Sequence, residues 1–571
     1  MAKILLMNIP SGPYPSETLP VGISRVMEGL NSSLDCRIKF IDMDYRRLSF
    51  TEMKKEIAEF SPDIIGISAV LTHAYAYIKK LSLFLKDEFP DTVQVLGGEM
   101  ASISNIVIQK TKIQYCVAGE SEPAFSALIK RLSDHNFKPS GKMDLSDIKG
   151  LVYLKDGAPF FTGYAEKTDN ELRQMNYALF ESFTDINHYF PLIKSEHFRR
   201  GLNKNEVEVF FNLLKPENRD KRIAQVYSSK GCVGRCTFCH RFFKGYRTID
   251  PDSVIKHIDE LTAKYGIGLI KFADENFGSD KKGTEKIIEH LKNKGLNWVA
   301  GAARVDNVDE NTIKRWKECG CVSAGFGFES CSQKILDIME KRTTVEQNLN
   351  TLRWCSKYGI LAGLLILVGM PGETDETIDE TIDNLAKVIP DDIDMPYEAV
   401  INYFQAVPGT PGYEYARGIG LIGPSVDEEE KYLESLYEVN ANDIRHYLNF
   451  TDYHKEEVVY WKHYIFLELI VAYIQKHGLL KTLKHKKANR YRYAAVYMLL
   501  PRPVRKLLLK YLSILFAFGL LETLKIVYKC IFIRRKMRFG QIHGSLRKLI
   551  KEMPLAVRPD DIFTNVLRDG R

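Results

Sequence analysis

The sequence predicts an α/β protein in two successive parts, followed by a helical C-terminal segment. Buried-looking apolar strands alternate with helical stretches over residues 1–135, and again over residues 223–412. Such alternation is typical of parallel sheets covered by helices. Residues 425–571 show helical patterning without an obvious strand. A chain of 571 residues has room for several domains.

The first alternating series indicates a doubly wound, Rossmann-like domain over residues 1–140. We expect its five strands at residues 3–9, 37–43, 63–70, 92–98 and 114–119. Ligands of such sheets bind beyond the carboxyl ends of the strands. A connector is predicted over residues 141–222, where Asp156 and Gly157 suit the turn of a β-hairpin.

The second series lies in a domain predicted over residues 223–424 and contains six β/α units. Its strands are expected at residues 223–229, 269–275, 298–304, 323–330, 363–370 and 399–406. Six such units predict a partial (β/α) barrel, whose active site would lie at the carboxyl ends of the strands. The helical C-terminal domain is then expected over residues 425–571.

The net charge of +7 is unevenly distributed along the chain. Residues 481–571 contain 22 Lys and Arg but only 5 Asp and Glu. Three interpretations of this basic segment stay open: a helical cap packed on the barrel, a peripheral membrane contact, or nucleic-acid binding. We disfavour nucleic acid, because no recognised binding module is present.

The cysteine content and the N-terminal segment indicate in which cellular compartment the protein is expected. Ten cysteines are too few for a disulfide scaffold in a chain of this length. We detect no signal peptide and no apolar stretch long enough to span a bilayer. We therefore expect a cytoplasmic protein that can also be membrane-associated.

A compact cysteine motif follows the first strand of the predicted barrel. Cys232, Cys236 and Cys239 have C-x3-C-x2-C spacing. Thiolates are the usual ligands of iron–sulfur clusters, and three of them on a four-iron cluster leave one iron open for another ligand. A zinc site with His240 as fourth ligand, or three core cysteines, would be the alternatives. The nearby Cys319, Cys321 and Cys331 are expected to be core residues rather than a second cluster.

This motif, opening a run of β/α units, resembles the radical S-adenosylmethionine (SAM) superfamily. The resemblance implies a [4Fe–4S] cluster on Cys232, Cys236 and Cys239, with SAM on the open iron. It also implies an external electron donor such as a flavodoxin or ferredoxin. Residues in and after the cysteine motif and at the later strand ends are then implied to contact SAM: Phe238, Asp274, Glu275, Arg304, Glu329, Gly369 and Pro371. For Arg304 and Glu329, an ion pair at the surface is the competing interpretation.

The first domain resembles the cobalamin-binding domain found in one class of this superfamily. The similarity lies in residues 8–23, 62–77, 89–102 and 115–125. It implies cobalamin contacts at the strand ends, by Ser68, Thr72, Gly97, Gly98, Glu99, Gly119 and Glu120. The Asp-x-His-x-x-Gly motif is absent, so no histidine from that loop should bind cobalt. His73, just past a strand end, is expected to face solvent rather than cobalt.

Together the two resemblances imply a cobalamin-dependent radical SAM enzyme that methylates an unactivated carbon of a small-molecule or lipid substrate. A radical cyclisation, oxidation or carbon–carbon coupling without methyl transfer, again on a small molecule or lipid, is the alternative reaction. A non-catalytic metal-cluster scaffold is the alternative of a different class.

Overall fold

The structure, a computed structural model, confirms the two-part α/β fold with a helical C-terminal region. It describes residues 1–10, 12, 14–70, 72–119, 121–138, 143–163, 177–195, 204–240, 245–392, 394, 399–436, 444–484, 494–532, 539, 542 and 544–552.

The N-terminal domain is built on a seven-stranded sheet with the order β2-β1-β3-β4-β5-β6-β7. The first five strands are parallel, as predicted, while β6 and β7 pair antiparallel at one edge. The strands are β1 (Ala2–Asn8), β2 (Cys36–Ile41), β3 (Ile64–Ser68), β4 (Val93–Gly97), β5 (Tyr115–Val117), β6 (Leu151–Lys155) and β7 (Ala158–Phe161). The predicted hairpin turn lies between the last two strands, where Asp156 and Gly157 both have positive φ angles, 52° and 80°.

Helices cover both faces of this sheet. Helix α3 begins with a capping box in which the side chains of Ser49 and Glu52 bond each other's backbone N–H. The helices up to the barrel are α1 (Val21–Ser33), α2 (Met43–Arg46), α3 (Phe50–Phe60), α4 (Tyr75–Glu88), α5 (Ser104–Lys110), α6 (Ser121–Ser133), α7 (Tyr177–Glu181) and α8 (Lys204–Leu213).

The second domain is a six-stranded, all-parallel partial barrel, as the sequence predicted. Its strand order is β15-β14-β13-β12-β11-β8. The strands are β8 (Arg222–Val226), β11 (Ile267–Phe272), β12 (Asn297–Ala303), β13 (Cys321–Glu329), β14 (Leu361–Val368) and β15 (Ala399–Tyr403). A short antiparallel pair, β9 (Ser229–Gly231) and β10 (Tyr246–Thr248), follows the first barrel strand.

Helices between these strands pack an aromatic core against the barrel. Trp298 and Trp316 are buried, with ring centroids 5.6 Å apart, and Phe272 stacks on Phe277. The helices are α9 (Pro251–Tyr265), α10 (Lys281–Asn293), α11 (Glu310–Glu318), α12 (Gln333–Ile338), α13 (Val345–Tyr358), α14 (Asp375–Ala386) and α15 (Pro411–Gly418). Cys319, Cys321 and Cys331 are buried in this region, which confirms them as core residues.

The C-terminal region is helical and packs partly on the barrel. It comprises α16 (Val426–Ser435), α17 (Lys455–His477), α18 (Leu479–Lys484), α19 (Arg502–Phe518), α20 (Leu520–Phe532) and α21 (Leu546–Glu552). Trp461 of α17 donates a hydrogen bond of 2.7 Å to Asp375 at the start of α14. Within the described ranges, every helix is too short or too polar to cross a bilayer.

Candidate active site

The three motif cysteines lie on the loop between β9 and β10, at the open end of the barrel. Cys236 is buried, Cys232 is half-buried and Cys239 is exposed. The sulfur of Cys232 accepts a hydrogen bond of 3.3 Å from the Gly234 N–H. Partial burial raises the pKa of the Cys232 thiol, and the Gly234 bond opposes this shift. A metal ion binding here must therefore displace a proton.

Thr237, between the second and third cysteines, fixes this loop to the barrel. Its N–H donates to Met339 O at 2.8 Å, and its hydroxyl donates to Ile338 O at 3.2 Å. Its own carbonyl accepts a bond of 2.9 Å from the Gly412 N–H. Thr237 is fully buried, so these bonds are shielded from water. The loop is thus held between the end of α12 and the start of α15.

Asp274 is buried next to the segment that leads into the cysteine loop. Its buried carboxylate accepts hydrogen bonds from the Ser228 N–H and hydroxyl, at 3.1 and 2.8 Å, and from the Ser229 hydroxyl. Burial raises the pKa of Asp274, while these three bonds lower it. The carboxylate therefore orders the chain leading into the cysteine motif. Its neighbour Glu275 is exposed.

Glu329 ends β13 with a φ angle of 62°, a conformation that non-glycine residues rarely adopt. Its carboxylate pairs with Lys341 at 3.0 Å, and both side chains are largely buried. Burial alone would lower the pKa of Lys341, but Glu329 and Cys236 raise it. The ammonium group also lies 5.9 Å from the centre of the Phe238 ring. This pair is buried beside the cysteine loop, not exposed at the surface.

Arg304 brings a second cation to the cysteine loop. Its guanidinium pairs with both oxygens of Asp306, at 2.9 and 2.8 Å, and donates to Lys341 O at 2.7 Å. One terminal nitrogen lies 3.9 Å from the sulfur of Cys236. Arg304 is only 5% exposed. Two buried cations thus lie where thiolate charge would accumulate.

The turn after β14 is covered by the C-terminal region. Tyr447 donates a hydrogen bond of 2.9 Å to Gly369 O, and the N–H groups of Gly369 and Met370 bond the carboxylate of Glu373. Burial raises the pKa of Glu373 to about 8. Pro371 is buried in the same turn. The backbone of this turn is therefore fixed both by Tyr447 of the C-terminal region and by Glu373 of the turn itself.

The strand ends of the N-terminal domain leave room for a ligand. A side chain at Gly97 or Gly119 would meet no atom within 4 Å. Gly98 has a φ angle of 86°, and a Cβ there would lie 2.6 Å from Ala69 O, so only glycine suits this position. Ser68 ends β3 in register with Gly97.

Two predicted cobalamin contacts lie partly or wholly outside the described residues. Thr72 begins a 3₁₀ turn, but its side chain lies outside the description, and Glu120 lies outside the described residues altogether.

These strand ends face the mouth of the barrel. His73 Nε2 lies 3.1 Å from the side-chain oxygen of Gln405, just after β15, so this histidine contacts the barrel instead of facing solvent as predicted. A side chain at Gly409 would come within 3.1 Å of His240 and 3.6 Å of Ser102. The carboxyl ends of the two sheets therefore contact each other.

An acidic side chain of the N-terminal domain is buried where the two domains meet. Burial, and secondarily the charge of Glu275, raise the pKa of Glu99 to about 9. Glu99 belongs to the N-terminal domain and Glu275 to the barrel, so the charge of one domain acts on a carboxyl group of the other. At neutral pH we expect Glu99 to be protonated.

The chain matches two known families in these same regions. Residues 226–385 match the radical SAM superfamily, and residues 12–129 match the B12 binding domain. The chain is a radical SAM enzyme with a cobalamin-binding domain. Its cofactors are a [4Fe–4S] cluster, SAM and cobalamin. The alternative of a non-catalytic scaffold protein is therefore wrong. Radical SAM enzymes need an electron donor, and they include enzymes that act on small molecules.

Individual relatives differ in their reactions. The radical SAM enzyme described here is 29% identical to an uncharacterised methyltransferase of Pyrococcus horikoshii, over 71% of this chain and 79% of that protein. It is 25% identical to the anaerobic magnesium-protoporphyrin IX monomethyl ester cyclase of Rubrivivax gelatinosus, over 60% of this chain. The alignment spans 57% of that cyclase, little more than half its length.

One solved structure shares the fold over the full chain. The cobalamin-dependent SAM radical enzyme OxsB, with aqua-cobalamin and SAM bound, is 18% identical. The two superpose with a TM-score of 0.58, over 100% of this radical SAM enzyme and 80% of OxsB. The cysteine donor set fits an iron–sulfur cluster, and the open positions at Gly97 and Gly119 leave room for a ligand at the strand ends.

Sequence reasoning missed several residues that organise this site. Lys341 follows Glu329 by twelve positions, and no pattern links the two in the sequence. Thr237 lies inside the cysteine motif, but its role in holding the loop is evident only from its hydrogen bonds to backbone groups of other segments. Gln405 lies near the carboxyl end of the strand predicted at residues 399–406, and that position was the one signal that could have marked it.

Proposed function

We propose that this enzyme transfers a methyl group to a carbon atom of a small-molecule substrate held between the two domains. The observation that carries this proposal is the meeting of the two sets of strand ends, where His73 contacts Gln405 and the charge of Glu275 acts on Glu99. When bound, cluster-linked SAM supplies a carbon-centred radical that removes hydrogen from the substrate, and cobalamin supplies the methyl group. Holding reactants in one space makes such steps effectively unimolecular.

The roles of individual residues belong to the same proposal. Cys232, Cys236 and Cys239 hold the cluster, and the buried cations Arg304 and Lys341 balance the charge of their thiolates. Residues proposed to contact SAM are Phe238, Glu275, Glu329, Gly369 and Pro371. Asp274 and Arg304 were also predicted to contact SAM, but their polar atoms are engaged by protein groups, and we propose that both position the cysteine loop.

On the cobalamin side, we propose contacts by the strand-end residues Ser68, Thr72, Gly97, Gly98, Glu99, Gly119 and Glu120. Support comes from the open space above Gly97 and Gly119 and from two serines nearby. The hydroxyls of Ser102 and Ser104 are buried and have no hydrogen-bond partner among the described residues. Buried hydroxyls usually bond to something, and a polar ligand group would satisfy them.

A steric test separates cobalamin binding from overall folding. Gly97→Leu places four carbons into the open space without backbone strain, since no positive φ is required there. We expect this variant to retain its iron but to lose most bound cobalamin, measured by visible absorption per chain. Ala58→Leu, on the exposed side of α3, adds a similar volume elsewhere and should retain both. Full cobalamin retention by Gly97→Leu would contradict the proposed site.

The reaction is tested with methyl-labelled SAM, added cobalamin and candidate substrates under reducing, anaerobic conditions. Methyl transfer predicts labelled product together with 5′-deoxyadenosine and S-adenosylhomocysteine. Deoxyadenosine without S-adenosylhomocysteine would instead support a radical cyclisation, oxidation or coupling, which the cyclase relative favours. Cys236→Ala should abolish reductive SAM cleavage, and normal cleavage in that variant would refute the cluster assignment. As electron donor we propose a flavodoxin or ferredoxin.

We also propose that the C-terminal region holds the enzyme at a membrane surface. Support comes from the basic composition of residues 481–571 and from large apolar side chains exposed on α19 and α20. Such a location would suit a lipid or membrane-dissolved substrate. The hydrogen bond from Tyr447 to Gly369 O supports a second role for the C-terminal region, as a cap on the barrel.

A further inference from the structure

Helix α19 directs its cations inward. Arg505 pairs with Glu468 of α17 at 2.8 Å, and these side chains are 8% and 5% exposed. Lys506 pairs with Asp379 of α14 at 2.7 Å, and Arg502 lies 3.1 Å from the same carboxylate. Helices at a protein surface usually bury apolar residues and expose charged ones. Here the arrangement is reversed.

The opposite face of α19 is apolar and exposed, and α20 continues it. We call these residues the apolar ridge: Val504, Leu507, Leu508, Leu512, Phe516, Leu520, Leu521, Leu524 and Tyr528. Their exposed fractions run from 37% to 85%. On α19 they recur every three or four positions, so they share one side of the helix. A contiguous exposed apolar surface of this kind marks an interaction site.

The ridge is most prominent at the turn between the two helices. Gly519, with a φ angle of 85°, joins α19 to α20. Phe516 is 85% exposed, and Leu520 and Leu521 are 65% and 71% exposed. Three large exposed apolar side chains therefore lie within six residues of one another at the junction of the two helices.

We propose that the apolar ridge lies in the interfacial layer of a lipid bilayer, with Phe516, Leu520 and Leu521 inserted deepest. Charge favours a bilayer as the occupant, because four basic residues follow α20 in the sequence: Arg534, Arg535, Lys536 and Arg538. The described helices do not cross a bilayer, which fits a contact made from one side. This inference rests on the membrane contact proposed above and is independent of methyl transfer.

Because the cations of α19 are paired within the protein, we expect apolar contacts and not charge to drive binding of the enzyme to vesicles. Arg502, Arg505, Lys506 and Lys510 all pair with acidic groups of the protein, so they contribute little attraction to anionic lipid. Apolar burial should therefore dominate. Neutral phosphatidylcholine vesicles should bind the enzyme, anionic lipid should strengthen binding only moderately, and salt should affect the neutral vesicles little.

The first test is vesicle co-sedimentation of the cofactor-loaded enzyme. The triple variant Phe516→Ser, Leu520→Ser and Leu521→Ser should bind neutral vesicles at least tenfold more weakly. The control Leu83→Ser and Leu154→Ser removes exposed apolar residues from the N-terminal domain and should bind as the wild type does. Unchanged binding of the triple variant, or no binding of the wild type, would overturn the inference.

A second test keeps the apolar surface intact. Phe516→Trp should be quenched by lipids brominated on their acyl chains, whereas Leu154→Trp should not. The four native tryptophans give a common background. Absence of specific quenching would contradict insertion. If the ridge instead joins two copies of the chain, the wild type will be dimeric without lipid and the triple variant monomeric, which would also overturn the proposal. None of these readouts depends on turnover.

Discussion

Asp274→Asn distinguishes a positioning carboxylate from a SAM ligand. Its carboxylate accepts three hydrogen bonds from Ser228 and Ser229 in a buried position. A hydrogen bond to a charged group contributes about 1.5–3 kcal/mol, and the asparagine oxygen can replace only part of this set. We therefore expect a loss of about 2–4 kcal/mol in the ordering of the cysteine loop. At about 1.4 kcal/mol per factor of ten, the apparent iron affinity should fall roughly 30-fold or more.

Anaerobic reconstitution provides the assay, with iron and sulfide measured per chain after challenge by a chelator. SAM affinity is then measured on the fraction that retains its cluster, and we expect it to be close to that of the wild type. Asp259→Asn is the matched control, since that carboxylate pairs with His290 and Lys294 at the protein surface and should have little effect. Full iron retention combined with weakened SAM binding would refute the positioning role and support the direct contact predicted from sequence.

Three further predictions concern the cysteine loop, the C-terminal region and the turn after β14. Thr237→Val should lower stability by about 1–3 kcal/mol and speed iron loss to a chelator, because Ile338 O loses its partner, and Thr237→Ser should restore both. Glu468→Gln should cost about 3–5 kcal/mol in urea unfolding by leaving Arg505 buried and unpaired, whereas adding Arg505→Met should recover most of that loss. The pKa of Glu373, raised to about 8, means that the folded state retains a proton that the unfolded state releases near pH 4.5. Its stabilising contribution should therefore be complete below about pH 4.5 and fall by up to roughly 1.4 kcal/mol per pH unit as pH rises towards 8. Glu373→Gln should remove this component of the pH dependence of thermal unfolding, and identical profiles would contradict the shift.

The sequence was sufficient for the elements that rest on local patterns. The parallel strands of both sheets, the hairpin turn at Asp156 and Gly157, and the position of the cysteine motif after the first barrel strand all follow from periodicity and turn chemistry. His73 shows where such reasoning stops. Its neighbours in sequence suggest a solvent-facing side chain, but its partner Gln405 is more than 300 residues away.

In the C-terminal region, the sequence establishes how many charges there are, and only the structure shows which of them are paired. The sequence establishes an excess of basic residues, and we expected it to attract anionic surfaces. The structure pairs Arg502, Arg505 and Lys506 with carboxylates of α14 and α17, outside the basic segment. A count of charges cannot distinguish a cation facing solvent from one paired across an interface, because that depends on how the helix is rotated against its neighbours.

The sequence by itself determined the two-part architecture and the cofactor chemistry, since thiolate spacing and strand periodicity are local properties of the chain. Tertiary structure decided which predicted side chains are available to a ligand. Asp274 and Arg304 lie beside the cysteine loop as expected, but their hydrogen-bonding capacity is used by Ser228, Ser229 and Asp306. It also brought Lys341 to Glu329 and turned the apolar face of α19 outward. These outcomes depend on contacts between segments distant in sequence, whose free energies are set by burial and geometry that no local pattern encodes.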